Sequence, residues 1–230
     1  MKRIGLVGGM SWQSTAMYYK YINEYVKNKK GGLASAEILL SSINFSDIEK
    51  FQKKERWDEA ERIICKEIER LAGAGADFIG VCSNTGNECI SRLKDRTDAC
   101  LVHIADPIGE FITKNKMKRV GLLGTIHTME NDYIKNILVN KYNTDIFIPD
   151  EDDRIVINDI IYKELCEGVI KASSKRKYLS IMKKMIKCDK LDGFVLSCTE
   201  IPMLISQKDI NIKLADSTKL HAEYLAQKSL

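Results

Sequence analysis

No stretch of this chain approaches the roughly 18 consecutive apolar residues of a membrane-spanning helix, so no span is expected. No Cys-x-x-Cys pair occurs and the three histidines are scattered. Both absences make metal binding the weakest use for the cysteines. Charge of one sign is also scarce: 36 Lys and Arg stand against 32 Asp and Glu, a net +4 spread along the chain. So small a surplus argues against nucleic acid as a partner. Collagen-like, coiled-coil and mucin-like compositions are absent. What is present is 44% hydrophobic and 30% charged residues over 230 positions. That is enough to bury a core in one large domain or two small ones, and it excludes disorder.

Seven cysteines, an odd number, stand at positions 65, 82, 89, 100, 166, 188 and 198. They do not form a disulfide framework. Met1-Lys2-Arg3-Ile4-Gly5-Leu6 runs straight into a strand pattern, without a leader-like apolar stretch or cleavage site. No signal peptide is therefore expected, and a cytoplasmic location with reduced thiols is.

Short apolar runs alternate with helical patterns. Ile4–Val7 ends at Gly8-Gly9, Ala36–Ile43 reads as a second strand, and Phe78–Val81 as a third. Trp57–Leu71 is amphipathic, with Ala60, Ile63, Ile64, Ile68 and Leu71 at helical spacing. The β-α alternation predicts an α/β fold with parallel sheets covered on both faces.

The pattern then restarts. Lys118-Arg119-Val120-Gly121-Leu122-Leu123-Gly124 copies Lys2-Arg3-Ile4-Gly5-Leu6-Val7-Gly8 at an offset of 116. Asp192-Gly193-Phe194-Val195-Leu196-Ser197-Cys198-Thr199 follows Asp77-Phe78-Ile79-Gly80-Val81-Cys82-Ser83-Asn84 at an offset of 115. Two signatures at nearly one offset indicate a duplicated α/β unit. Ligands of open parallel sheets bind beyond the carboxyl ends of the strands. Those ends here carry Cys82-Ser83-Asn84-Thr85 and Ser197-Cys198-Thr199-Glu200. Two halves facing each other would set the two clusters across one cleft.

Gly5-Leu6-Val7-Gly8-Gly9 lacks the G-x-G-x-x-G spacing of a dinucleotide site, and no acidic residue ends the second strand. It is expected to be a tight turn where backbone approaches a helix or a carboxylate. A thiol at a strand's carboxyl end, among hydroxyls and a carboxamide, is placed for acid/base or nucleophilic work. Cys198 is that thiol. Cys65, Cys89, Cys100, Cys166 and Cys188 read as helix or core residues, and His103 as structural. Residues 171–190 hold seven lysines and one arginine on a predicted helix, read as a solvated face.

Over nearly its whole length the chain resembles the aspartate/glutamate racemase superfamily, in its bacterial amino-acid racemase branch. The carriers are residues 4–15 (IGLVGGMSWQST), Gly31-Gly32-Leu33, Ser83-Asn84-Thr85, residues 101–106 (LVHIAD), Gly121–Thr125 with Thr128-Met129-Glu130, residues 160–166 (IIYKELC), Cys198–Pro202 and Leu220–Glu223. The resemblance implies two pseudo-symmetric α/β domains, here 1–105 plus 215–230 and 106–214, with the site in the interdomain cleft. It also implies a homodimer that racemises an amino acid, aspartate or glutamate, at Cα without a cofactor or metal. One group removes the Cα proton and a second delivers a proton to the opposite face, while donors hold the carboxylate charge. The family pairs two cysteines for this. Here Cys198 is expected as main acid/base, with Ser83 where the second cysteine would stand. Cys82, one residue earlier, points to the opposite face of a regular strand.

Related members of this branch carry Thr at the place of Ser83 and favour the L-enantiomer of acidic amino acids. They also read Met-His where this chain has Gly86-Asn87. A serine hydroxyl is too weak an acid to sit as alkoxide without a dedicated base. Slow or enantiomer-biased activity is therefore expected. Met10, Ser11, Gln52, Asn84, Thr85, Thr125, Lys163, Thr199 and Glu200 are the candidate substrate-binding residues. Lys163 would meet a side-chain carboxylate, and Glu200 would orient Cys198 or Thr199. Two alternatives remain: a single-cysteine decarboxylase or isomerase on the same scaffold, and an impaired racemase that only binds amino acids.

Overall fold

The computed structural model describes residues 1–93 and 97–230. They divide into two compact units, residues 1–104 with 221–230, and residues 105–220. The first unit runs β1 (Ile4–Gly8), α1 (Trp12–Lys30), β2 (Ile38–Ser42), α2 (Phe45–Gln52), α3 (Trp57–Gly73) and β3 (Phe78–Val81). A 3-10 turn (Thr85–Cys89), α4 (Ile90–Leu93) and β4 (Cys100–Leu101) follow. The second unit holds α5 (Ala105–Lys114), β5 (Arg119–Gly124), α6 (Ile126–Glu130), α7 (Asp132–Tyr142), β6 (Asp145–Phe147) and α8 (Glu151–Lys163). It continues through α9 (Ala172–Asp189), β7 (Gly193–Ser197), α10 (Ile201–Leu204) and β8 (Lys213–Asp216) into α11 (Ser217–Ser229).

Both sheets are four-stranded and parallel, ordered β2-β1-β3-β4 and β6-β5-β7-β8. The two orders are the same arrangement, as a duplicated unit requires. The offset signatures gain a shared bond as well. Asp77 accepts the backbone N–H of Arg3 at 2.7 Å, and Asp192 accepts those of Lys118 and Arg119 at 2.7 and 2.9 Å. In each unit this carboxylate, just before the third strand, pins the start of the first. Asp77→Ala and Asp192→Ala should each lower stability by about 1 kcal/mol, the net worth of a typical hydrogen bond, since both carboxylates are exposed. Urea denaturation of the two variants checks this.

The central strands β1, β3, β5 and β7 are buried on both faces, and their side chains sort by a period of two. Ile79 and Val81 of β3 join Val7, Ile64, Ile68 and Leu71 in one core. Phe78 and Cys82 join Ile4, Leu6, Tyr18 and Leu225 in the other. α3 forms because Ala60, Ile64, Ile68 and Leu71 make a stripe that the sheet buries. It stops at Gly75, whose φ of +86° suits glycine, with Gly75 N–H donating to Ala72 O at 2.9 Å. In the second unit Phe194, Leu196 and Cys198 share one face, packed with Ile157, Ile161, Tyr178 and Met182 of α8 and α9.

β8 pairs with β7 from Gly193↔Lys213 to Leu196↔Asp216, so its backbone bonds hold it in the second unit. The chain changes unit inside α11, at His221, six residues beyond the expected boundary after residue 214. The His221 ring is buried. Its Nε2 lies 3.0 Å from Val102 O, which can only accept, so Nε2 carries the proton. Nδ1 then accepts the Tyr18 hydroxyl at 2.8 Å. Gly80 makes room for this helix: a Cβ there would meet Leu225 at 2.5 Å.

Candidate functional site

Each unit presents a strand-end cluster, and the two are built alike. After β1 the chain turns through Gly9 at φ +93°, where a Cβ would lie 1.9 Å from Ile43 O. The expected close approach is thus to backbone beyond β2. Gly9 N–H also donates to Thr15 Oγ1 at 2.8 Å. Ser11 then caps α1, accepting from Ser14 N–H at 3.3 Å. After β5, Thr125 caps α6, accepting from Thr128 N–H at 3.3 Å. A hydroxyl residue therefore caps the helix that follows the first strand in both units.

After β3 the alternation decides between the two neighbours Cys82 and Ser83. Cys82 is fully buried in the core with Leu6 and Leu225, and burial alone pushes its thiol far up. It is a packing residue. Ser83 is half-buried, and its Oγ accepts Gly86 N–H at 3.2 Å. Asn84 is buried and Thr85 half-buried, opening the 3-10 turn. Met10, Gln52 and Thr85 line one open recess, together with Trp57, Gly86 and Cys89. Three predicted binding residues from distant stretches thus meet in one place.

Asn87 holds this cluster together, a role its sequence position did not reveal. It is fully buried. Its Nδ2 donates to Val81 O at 3.1 Å and to Ser83 O at 2.7 Å, while Oδ1 accepts Ile104 N–H at 2.9 Å. One carboxamide brackets the end of β3 against the chain that follows β4. Only a residue carrying both donor and acceptor can do this. The available sequence signals were an Asn six residues past a buried strand and its place where related members carry His.

After β7, Cys198 continues the Phe194–Leu196 face and is 8% exposed. Its Sγ donates to Glu200 Oε2 at 3.0 Å, and Thr199 Oγ1 donates to the same oxygen at 2.5 Å. Glu200 is itself buried. Burial pushes the Cys198 thiol well above its ordinary range, and the Glu200 charge and the hydrogen bond to it push the same way. The resting thiol is therefore protonated, a proton donor held on a carboxylate. Glu200→Gln removes that charge and leaves burial, so the thiol pKa falls while staying raised. Alkylation of Cys198 by iodoacetamide at neutral pH should then speed up several-fold, roughly tenfold per unit of lowering. Mass spectrometry of the Cys198 peptide measures it.

Lys163, at the end of α8, is exposed and paired with Asp159 at 2.9 Å. Lys184 on α9 likewise pairs with Asp150 and Asp153. His103 is buried in the first unit. Among the described residues no three His, Cys, Asp or Glu side chains are grouped to hold a metal ion. No described helix is long and apolar enough to cross a membrane.

Known proteins match this architecture end to end. A candidate Asp/Glu racemase from Yersinia pestis is 38% identical, with a TM-score of 0.93 over 100% of this chain and 99% of its own. An aspartate racemase homologue from Pyrococcus horikoshii OT3 is 29% identical, with a TM-score of 0.85 over 100% and 99%. The Picrophilus torridus aspartate racemase, 20% identical, shares the fold at a TM-score of 0.77 over 100% and 94%. The Asp/Glu/Hydantoin racemase family model matches residues 7–225. Two like-ordered parallel sheets, a buried thiol on a carboxylate after β7 and a match of this extent agree: the chain belongs to the Asp/Glu/Hydantoin racemase family.

Proposed function

We propose that this protein racemises an amino acid, aspartate or glutamate, at Cα without a cofactor, with Cys198 as principal acid/base. The observation that carries the reading is the Cys198 thiol, buried at a strand end and hydrogen-bonded to Glu200. The thiol proton passes to Glu200 Oε2, and the thiolate takes the Cα proton. The C–H electron pair moves into the substrate carboxylate, which backbone N–H groups, Thr125, Asn84 and Thr85 stabilise. Thr199 keeps Glu200 in place. Met10, Ser11 and Gln52 bind the rest of the substrate, and Lys163 exchanges Asp159 for the substrate's side-chain carboxylate. Ser83 stands where the family's second cysteine would, and its O–H supplies the proton on the opposite face. The family resemblance supports a cytoplasmic homodimer as the working form.

Ser83 would leave an alkoxide that only solvent can reprotonate, so delivery from that side is slow. Return of the proton by Cys198 is fast. In heavy water, deuterium should enter Cα of one enantiomer faster than that enantiomer inverts. NMR of L- and D-aspartate and glutamate measures both rates, and equal, fast exchange and inversion from both enantiomers would overturn the assignment to Ser83.

One observation favours a second reading. A thiol that rests protonated is set to deliver a proton to a carbanion, as an asymmetric decarboxylase requires. Loss of carbon dioxide from an α-carboxylated substrate panel, without Cα exchange in amino acids, would favour it. Amino-acid binding with neither reaction would mark a non-catalytic binding protein.

A further inference from the structure

Two neighbouring residues of α1 tie together the strand ends of the first unit. Ser14 and Thr15 lie in the first turn of that helix, and both are buried. Thr15 Oγ1 accepts the Gly9 N–H beyond β1 at 2.8 Å and donates to Ser11 O at 3.1 Å. Ser14 Oγ donates to Cys82 O, just beyond β3, at 2.9 Å. Ser14 N–H donates to Ser11 Oγ at 3.3 Å. β1 and β3 pair up to Val7↔Val81, and Cys82 N–H still donates to Val7 O at 2.9 Å. From there side chains take over. Ser14 holds the Cys82 carbonyl, and Asn87 holds the Ser83 carbonyl at 2.7 Å.

A buried hydroxyl is costly unless it is paired, and alanine would suit the helix better. The bond across to β3 accounts for a hydroxyl at this place. The Cys82–Ser83 peptide is planar, so fixing its oxygen fixes the direction of the Ser83 N–H and the place of the Ser83 Cα. We propose that Ser14 is a positioning residue for proton transfer at Ser83, a role that rests on the racemase reading above. It acts through the peptide rather than on the substrate.

Without the Ser14 hydroxyl the peptide is free to turn. Misplacement of a reacting group by about 1 Å can lower a rate up to a hundredfold. Inversion at Cα needs the proton from Ser83 and suffers. Exchange with retention uses Cys198, which belongs to the second unit, and is spared.

Ser14→Ala, Ser14→Cys and Ser14→Thr test this in the full chain. NMR in heavy water follows L- and D-aspartate and glutamate, at a temperature where circular dichroism shows the proteins folded. Ser14→Ala should lower inversion about tenfold, while exchange with retention falls less than about threefold. Ser14→Cys keeps the volume with a much weaker donor and should act like Ser14→Ala. Ser14→Thr keeps the hydroxyl and should restore most of the inversion rate. A merely structural loss would lower both rates by the same factor, and that result overturns the proposal. So does inversion that Ser14→Ala and Ser14→Cys leave unchanged. A parent that exchanges Cα protons without any inversion removes the role of Ser83, and that of Ser14 with it. A parent that does neither overturns the racemase reading itself.

Discussion

Cys198→Ala should lower Cα proton exchange by about three orders of magnitude, within the range that a positioned acid/base supplies. Cys82→Ala should lower it by less than about threefold, since the lost contacts affect packing and not proton transfer. The contrast is sharp because the two thiols differ in what surrounds them. Cys198 donates to the Glu200 carboxylate and ends the Phe194–Leu196 face. Cys82 is enclosed by Leu6, Tyr18 and Leu225. Both thiols are raised by burial, but only Cys198 is hydrogen-bonded to a carboxylate. Deuterium incorporation at Cα, followed by NMR for the three proteins, reads the difference directly. Equal losses in both variants would show that the thiol after β7 has no special role. Cys198→Ser should retain little, since a hydroxyl cannot be ionised by Glu200.

Asn87→Ala should destabilise the protein by about 3 kcal/mol, because a buried group left unpaired costs about 1–3 kcal/mol. Three groups lose their partner at once: the Val81 and Ser83 carbonyls and the Ile104 N–H. On a chain of this length the melting temperature should fall by roughly 6–12 °C. Asn87→Asp keeps the acceptor for Ile104 and loses both donors, placing charge near two carbonyls. It should be at least as harmful. Asn87→His retains a ring donor in a larger volume, and that volume must displace a fully buried neighbour. Calorimetry of the three variants ranks them. A melting temperature within 2 °C of the parent for Asn87→Ala, where about 1 kcal/mol moves it 2–4 °C, would show that the bracket contributes little.

Much of the scaffold was legible along the chain. Parallel α/β strands read as short apolar runs because both faces are covered, and β1, β3, β5 and β7 carry that signal. The duplication was legible because each unit keeps the same strand and the same aspartate ahead of it. Asp77 and Asp192 turned out to make the same bond to the start of a strand. The short edge strand β8 was harder to assign to a unit. Its sequence does not say which strand it pairs with, and the pairing with β7 decides its place.

The candidate site was legible in part. Cys198 could be singled out by its place at a strand end, and Cys82 set aside by strand alternation. The sequence could also put Glu200 next to Cys198. Composition and spacing could not tell that the thiol is buried, that it donates to Glu200, or that Asn87 braces the end of β3. Nor could they bring Met10, Gln52 and Thr85 to one recess. By itself the sequence determined the alternation of strands and helices, the repeat and the chemical groups at the strand ends, because these follow from periodicities of two and 3.6 residues. Only the tertiary structure decided which groups meet and which proton is held. Hydrogen bonding and desolvation depend on neighbours brought together from positions far apart in the chain.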